Sequence, residues 1–549
     1  MTTVESLQTT QEAQTFDATR ADACYLALKS RDARFDGRFF IGVTSTKIYC
    51  RPVCKVKVPL RKNCRFFDHA AQAESAGFRP CLRCRPELAP QVLHWSTQDA
   101  SAMLSEQAAR LLDDPESWGN GGSTPDAAGG ASIEKLSRRL GVSDRHVRRI
   151  FEAQFGVSPL QYLQTRRLLT AKQMLTDTDL PVTRVALSSG FASVRRFNAA
   201  FVGHYKLNPT ALRRQRAAGA NDADHPGGAS TSTSIRLAYR PPYDVAAMLA
   251  FVQKRAIGSV TLVDPEIEHA TKSVAYYAHF ARLKTTFYLK NGDFQGDAAS
   301  QSVAGTARAG WLSAAFDEAN SQVLLTVSDS LLDVLPLVIR RVRHWLDLDA
   351  DPGAIHQLMG GRFPLGAGLR VPGCLDGFEL AVRAVLGQQI TVAAACTLAR
   401  RVVDKFGAPI ETPFAQLTRL FPSPEVLASA SGDALGSLGI VKQRQAAIVA
   451  IARAVAEKRI TLSAGADVPA TMAALKELPG IGDWTAHYIA MRALRWPDAF
   501  PAGDIALHKA LGVDKPLWGT KAAAKEIDGL SQAWKPWRSY AVVRAWATL

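Results

Sequence analysis

Four cysteines stand in two close pairs, Cys50-x3-Cys54 and Cys81-x2-Cys84, with 26 residues between the pairs. Each pair can offer two sulfurs from one tight turn, and two such pairs can wrap a tetrahedral zinc ion. Their surroundings are strongly basic: Arg51, Lys55, Lys57, Arg61, Lys62, Arg65, Arg79, Arg83 and Arg85. A thiolate site among arginines and lysines suggests a metal module that meets a polyanion. Two structural disulfides are the competing reading. The polar start of the chain gives no sign of a secretory signal, and Cys24, Cys64, Cys374 and Cys396 are scattered, so reduced cytoplasmic thiols fit better.

A second set of residues could break a glycosidic bond. Leu478-Pro479-Gly480-Ile481-Gly482 lies between two helical patterns and reads as a helix-hairpin-helix turn. Glycines let backbone approach a phosphate, and the next helix begins with free N–H groups, so Gly480 and Gly482 are candidate DNA-backbone contacts. Asp504 follows in Pro501-Ala502-Gly503-Asp504, at the start of another helix. One carboxylate there could stabilise an oxocarbenium-like sugar and orient water. Trp484, Tyr488 and Trp546 could select a cationic base by stacking. In isolation Asp504 would read as a helix N-cap, and the three aromatics as packed core.

The elements that must hold these residues are legible in outline. The 549 residues suit three or four domains, and 47% hydrophobic content suffices for their cores. The formal net charge is +16, with a basic excess both before and after residue 232. No apolar run reaches the roughly 18 residues of a membrane span. Residues 113–131 and 217–234 have flexible-linker compositions. Between them lies an internal repeat in which Gly141 matches Gly190, Phe151 matches Phe201 and Pro159 matches Pro209. Each copy has a short apolar helix, a glycine turn and a helix with paired arginines, which is the pattern of a helix-turn-helix. Ser143 is the expected cap of the first recognition helix, from which Arg145, His146, Arg148 and Arg149 would project; Ser193, Arg195 and Arg196 occupy like places in the second. Beyond residue 234, strand-like runs at Ile235, Leu237 and Tyr239, at 285–290 and at 322–328 give way after about Pro336 to helical patterns.

These motifs match known families. Residues 36–87, with the strings CRPVC and GFRPCLRC, resemble the N-terminal zinc module of the Ada family. The resemblance implies one zinc ion on Cys50, Cys54, Cys81 and Cys84, with Cys50 accepting a methyl group from a DNA methylphosphotriester. Residues 132–215 resemble an AraC-type DNA-binding domain. Residues 235–549 resemble the AlkA-type 3-methyladenine glycosylases of the helix-hairpin-helix superfamily, through RPPYD at 240–244, GLRVPGCLDGFELAVRAVLGQQITV near 368–392 and WKPWRSYA at 534–541. There the catalytic aspartate falls on Asp504 and the pocket aromatics on Trp484, Tyr488 and Trp546. Lyase members of the superfamily carry a lysine where this chain has Trp484, so the resemblance implies a monofunctional enzyme. No four-cysteine cluster follows the hairpin, so no iron–sulfur cluster is expected, while a monovalent cation at the hairpin is.

The expected fold is therefore multidomain. An α+β zinc module (17–112) follows a disordered tail (1–16). After the linker 113–131 comes an all-α double helix-turn-helix domain (132–216). After the linker 217–234 come a small α+β domain (235–350) and an all-α helix-hairpin-helix domain (351–549). Its partners would be double-stranded DNA and RNA polymerase, with no membrane, in a monomer of the bacterial cytoplasm and nucleoid. Two departures stand out. The apolar wedge of the AlkA family falls on Gln389, with Ile390 beside it, and the stretch between Asp504 and Trp534 is longer than the resemblance implies. No PCHR-type motif of an alkylguanine methyltransferase occurs.

Overall fold

The computed structural model describes residues 18–91, 100–113, 133–219, 233–264, 282–289 and 308–549. The tail expected at 1–16 lies outside them, as does most of both expected linkers. Residues 217–219 close the helix Pro209–Gly219, and residues 233–234 open the strand Thr233–Ala238. Among the described residues no helix is long and apolar enough to cross a membrane.

The cysteine module is built on a four-stranded sheet in the order Cys64–Phe67, Phe40–Val43, Ile48–Cys50 and Arg79–Pro80. The last two strands run parallel, with Ile48 beside Arg79 and Tyr49 beside Pro80. Extending that register by one residue sets Cys50 next to Cys81, so one short ladder joins the two cysteine pairs.

The repeat folds as two helix-turn-helix units. Helices Ile133–Leu140 and Asp144–Phe155 form the first, and Val182–Ser188 and Val194–Tyr205 the second. Gly141 and Gly190 take φ values of +68° and +80°, which explains glycine at the matched turns. Ser143 caps its helix by accepting the His146 N–H, and Ser193 does the same for Arg196. Phe151 and Phe201 are fully buried at equivalent places. The long helix Pro159–Asp177 joins the units. The helix Ala100–Leu112 packs Ala108 and Leu112 against Leu136, Val147 and Phe151 of the first unit.

Five antiparallel strands make the second sheet, in the order Thr233–Ala238, Gln322–Val327, Arg308–Asp317, Arg282–Leu289 and Thr261–Asp264. The strand-like runs near 235, 285 and 322 fall on three of them, except that Lys290 lies outside the described residues. The inner face of this sheet shares one core with the second helix-turn-helix unit, the long helix and the helix Leu335–Trp345: Leu168, Phe197 and Phe201 pack with Ile235, Phe316 and Val338. Helices from Pro352 onward close a separate core around Phe378, Leu386, Ile448, Ile489, Leu507 and Tyr540.

Candidate functional site

The four cysteine sulfurs all lie within 4.8 Å of one another. Zinc–sulfur bonds of ~2.3 Å in a tetrahedron put sulfurs roughly 3.8 Å apart, so the donor set and its spacing fit one zinc ion. Cys50, Cys54 and Cys81 are buried and Cys84 half-buried. Four sulfurs this close cannot all be thiolates unless a cation lies among them. Hydrogen bonding to its neighbours, Cys54 first, pushes Cys50 up, while Cys50 and the other two sulfurs pull Cys81 down. Cys54, helped first by Cys50, is drawn down to about 7.

Around the cluster, the Arg51 amide donates to Cys84 Sγ at 3.3 Å and its guanidinium donates to Cys84 O at 3.0 Å. The same guanidinium pairs with the buried Asp36 carboxylate, its Nε donating at 2.8 Å. Arg85, directly after Cys84, binds Glu87 at 2.9 Å and Asp177 of the long helix at 2.6 Å. Lys172 of that helix pairs with Glu87, both side chains being almost wholly buried. Glu74 accepts from Tyr49 Oη at 2.9 Å and from Thr165 Oγ1 at 2.7 Å, and meets His204 Nε2 at 3.0 Å. The residue preceding Cys50, the long helix and the second helix-turn-helix unit thus meet at one carboxylate.

On the recognition helices, Arg145, Arg148, Arg149, Arg195 and Arg196 are exposed, and His146 is partly covered. His146 Nδ1 lies 3.2 Å from Arg149 Nη2.

In the all-α domain, Gly480 has φ +76° and a Cβ there would stand 3.2 Å from the Ala447 methyl. Gly482 opens the helix Asp483–Arg492, with open space where a Cβ would be. That helix carries Trp484 and Tyr488 one turn apart, their rings stacked at 5.2 Å and 16°. Trp546, from the helix Arg538–Trp546, stands 6.4 Å from Tyr488. Asp504 is nearly buried at 9% exposure. Its Oδ2 accepts from Trp484 Nε1 at 2.9 Å, and its Oδ1 accepts from the Leu507 amide at 3.0 Å. Asp504 is therefore a helix cap and a neighbour of the aromatic group at once.

The quoted strings also hold supporting residues whose individual roles only the fold reveals. Gln388 Nε2 donates to Gly480 O at 2.9 Å and to Thr485 Oγ1 at 3.0 Å, tying its turn to the hairpin. Gln389, next in that turn, is exposed with φ +55°, and Ile390 is half-buried against the core. Arg538 of the WKPWRSYA string holds Asp498 through two bonds of 2.8 Å, and Ser539 N donates to Pro497 O at 2.8 Å. These bonds fix the loop leading to Asp504. Arg492 donates to Tyr488 Oη. Burial alone would push the Tyr488 phenol up, but Arg492 and Arg255 pull it below its ordinary value. The long stretch after Asp504 forms the helices Ile505–Leu511 and Lys521–Ser531 with a short turn between them.

Four family models match the chain in order. They describe the metal binding domain of Ada over residues 23–87, a helix-turn-helix domain over 136–215, the AlkA N-terminal domain over 234–376, and the HhH-GPD superfamily base excision DNA repair protein over 382–536. A probable bifunctional transcriptional activator/DNA repair enzyme AlkA of Mycobacterium tuberculosis (strain ATCC 25618 / H37Rv) is 35% identical over 96% of each chain. The DNA-3-methyladenine glycosylase 2 of Escherichia coli (strain K12) is 31% identical over 57% of this chain and 96% of its own length. The bifunctional transcriptional activator/DNA repair enzyme Ada of the same strain is 32% identical over 31% of this chain and 42% of its own length.

Proposed function

This chain belongs to the family of bifunctional transcriptional activator/DNA repair enzymes that join an Ada-type zinc module and helix-turn-helix domain to an AlkA-type glycosylase, and from that premise we propose how its residues divide the work. It is a DNA glycosylase that acts in alkylation repair and a DNA-binding regulator of the adaptive response.

The glycosylase reading rests on one observation: Asp504 is held 2.9 Å from the indole nitrogen of Trp484, whose ring stacks on Tyr488. A 3-methyladenine or 7-methylguanine base is already cationic, so it stacks on electron-rich rings and leaves without a general acid. The bond from C1′ to the base nitrogen breaks and its electron pair neutralises the base. The Asp504 carboxylate stabilises the positive sugar and orients the water that adds to C1′ and loses a proton. Gly480 and Gly482 hold the DNA backbone. With Trp484 at the lyase position, no amine is offered there for a Schiff base, so an abasic site is the product. Base release from methylated DNA tests this: Asp504→Asn retaining wild-type release would overturn the assignment.

At the front of the chain, Cys50, Cys54, Cys81 and Cys84 would hold zinc, which keeps their sulfurs as thiolates when bound. Cys50 then takes a methyl group from a phosphotriester: an S–C bond forms, the C–O bond breaks, and its electron pair restores the phosphodiester anion. The product is a neutral thioether formed once per molecule. Loss of that negative charge weakens repulsion from DNA phosphates and raises affinity. Arg145, His146, Arg148, Arg149, Arg195 and Arg196 contact promoter DNA, and RNA polymerase is the partner of the activated, monomeric form in the cytoplasm. A second reading, a methylation-responsive regulator with a weak glycosylase half, is favoured by Gln389, a polar side chain where an apolar wedge would help open the duplex.

A further inference from the structure

Arg240 is fully buried and reaches no carboxylate oxygen among its hydrogen bonds; it donates only to main-chain carbonyls of three segments. Two segments belong to the cysteine module: Asp36 O at 2.8 Å, and Pro90 O and Gln91 O at 2.9 and 2.8 Å. The third is its own half of the chain, at Asp349 O (2.8 Å) and Ala350 O (3.3 Å). Around it the Gln91 amide donates to Asp349 Oδ1 at 2.8 Å, and Arg38 pairs with Asp351. Gly37 makes this approach possible. Its φ is +73°, and a Cβ there would stand 1.9 Å from Pro90 O and 3.2 Å from Arg240 Nη2.

The contact is connected to both candidate sites. On one side, the Asp36 carboxylate holds Arg51, whose amide donates to Cys84 Sγ. On the other, Arg370 donates to Arg240 O, and residues 371–373 bind Arg495 and Arg492 through their carbonyls, with Arg492 reaching Tyr488 Oη. We propose that Arg240 is the centre of an intramolecular docking surface that couples the metal state of the cysteine cluster to the lesion-pocket half. Separation of the two would break the guanidinium's three bonds to Asp36 O, Pro90 O and Gln91 O together, so docking is close to all-or-none. Each half then biases the other by the same factor.

The coupling concerns the two sites assigned above, yet unfolding reads it without either activity, so a failed interface and a failed site assignment give different results. The test is a thermodynamic cycle on the full chain: wild type and Arg240→Met, each zinc-loaded and after chelation. Two quantities are read, the urea midpoint of tryptophan fluorescence and the rate of zinc transfer to a chelating dye. Eight of the ten tryptophans, from Trp311 to Trp546, lie in the lesion-pocket half, so the fluorescence reports mainly on it. Chelation should lower the wild-type midpoint and lower that of Arg240→Met by less, while the variant should lose zinc about 10-fold faster, as for a lost outer-shell contact. Equal midpoint drops with zinc transfer unchanged within twofold would overturn the proposal. Should Arg240→Met fail to fold, Arg38→Glu, at the part-exposed rim, serves in the same cycle with the same two outcomes.

Discussion

Trp484 Nε1 donates a 2.9 Å hydrogen bond to Asp504 Oδ2, while the indole ring stacks on Tyr488. One side chain thus sets both the carboxylate and the first ring of the stack. Trp484→Phe keeps a ring for stacking and removes the donor. A hydrogen bond to a charged group is worth about 1.5–3 kcal/mol. Single-turnover release of 3-methyladenine by Trp484→Phe should therefore fall about 10- to 100-fold if the bond persists in the transition state. Unchanged release would show that the carboxylate needs no such anchor.

Asp504→Asn separates the two duties of that residue. Asparagine caps helices about as well as aspartate, so the bond to the Leu507 amide and the helix Ile505–Leu511 should survive, with stability within about 1 kcal/mol of wild type. Base release should fall about 100- to 1000-fold, since the charge facing the developing cation is gone. Urea unfolding and a release assay on the same preparation check both expectations.

Glu87 and Lys172 join the turn after Cys84 to the long helix Pro159–Asp177, each side chain being 1% exposed. Removing Lys172 leaves the buried Glu87 charge with Arg85 as its ion-pair partner, so the cost approaches but does not exceed the about 3–5 kcal/mol of an uncompensated buried charge. Lys172→Met should thus lower the thermal midpoint sharply, whereas Lys172→Met with Glu87→Leu should recover much of the loss. A double variant no more stable than the single one would show that the pair is not the source.

The contact of His204 with Glu74 predicts a pH dependence. The Glu74 hydrogen bond raises the imidazole above its ordinary value, against the effect of burial and of Lys206. Folded His204 binds its proton more tightly than unfolded His204 does. Its stabilisation is therefore full below the ordinary histidine pKa of ~6.5 and is lost as pH rises through the folded value. The difference in unfolding free energy between wild type and His204→Gln should be largest near pH 6 and shrink on raising the pH toward 9.

Much of this architecture was legible in the sequence because it depends on local spacing. The cysteine pairs, the glycines at the matched turns and the hairpin before Asp504 each declare themselves within a few residues. What joins them does not. Arg240 meets Asp36 and Pro90 across 204 and 150 residues, and no periodicity marks such a partner. Gln388 looks like any polar residue at a helix end until Gly480 O and Thr485 Oγ1 lie against it. Composition also marks Glu74 as an ordinary surface acid. Only folding shows Tyr49, Thr165 and His204 converging on its carboxylate.

The most direct test incubates the zinc-loaded protein with methylated double-stranded DNA, then weighs the protein and quantifies released bases from the same tube. One added methyl group on Cys50 together with free methylpurine is the predicted result, and Cys50→Ser should lose the first while keeping the second. Base release with no methyl on Cys50, or a methylated Cys50 with no base released, would contradict the account of one chain carrying both repair activities.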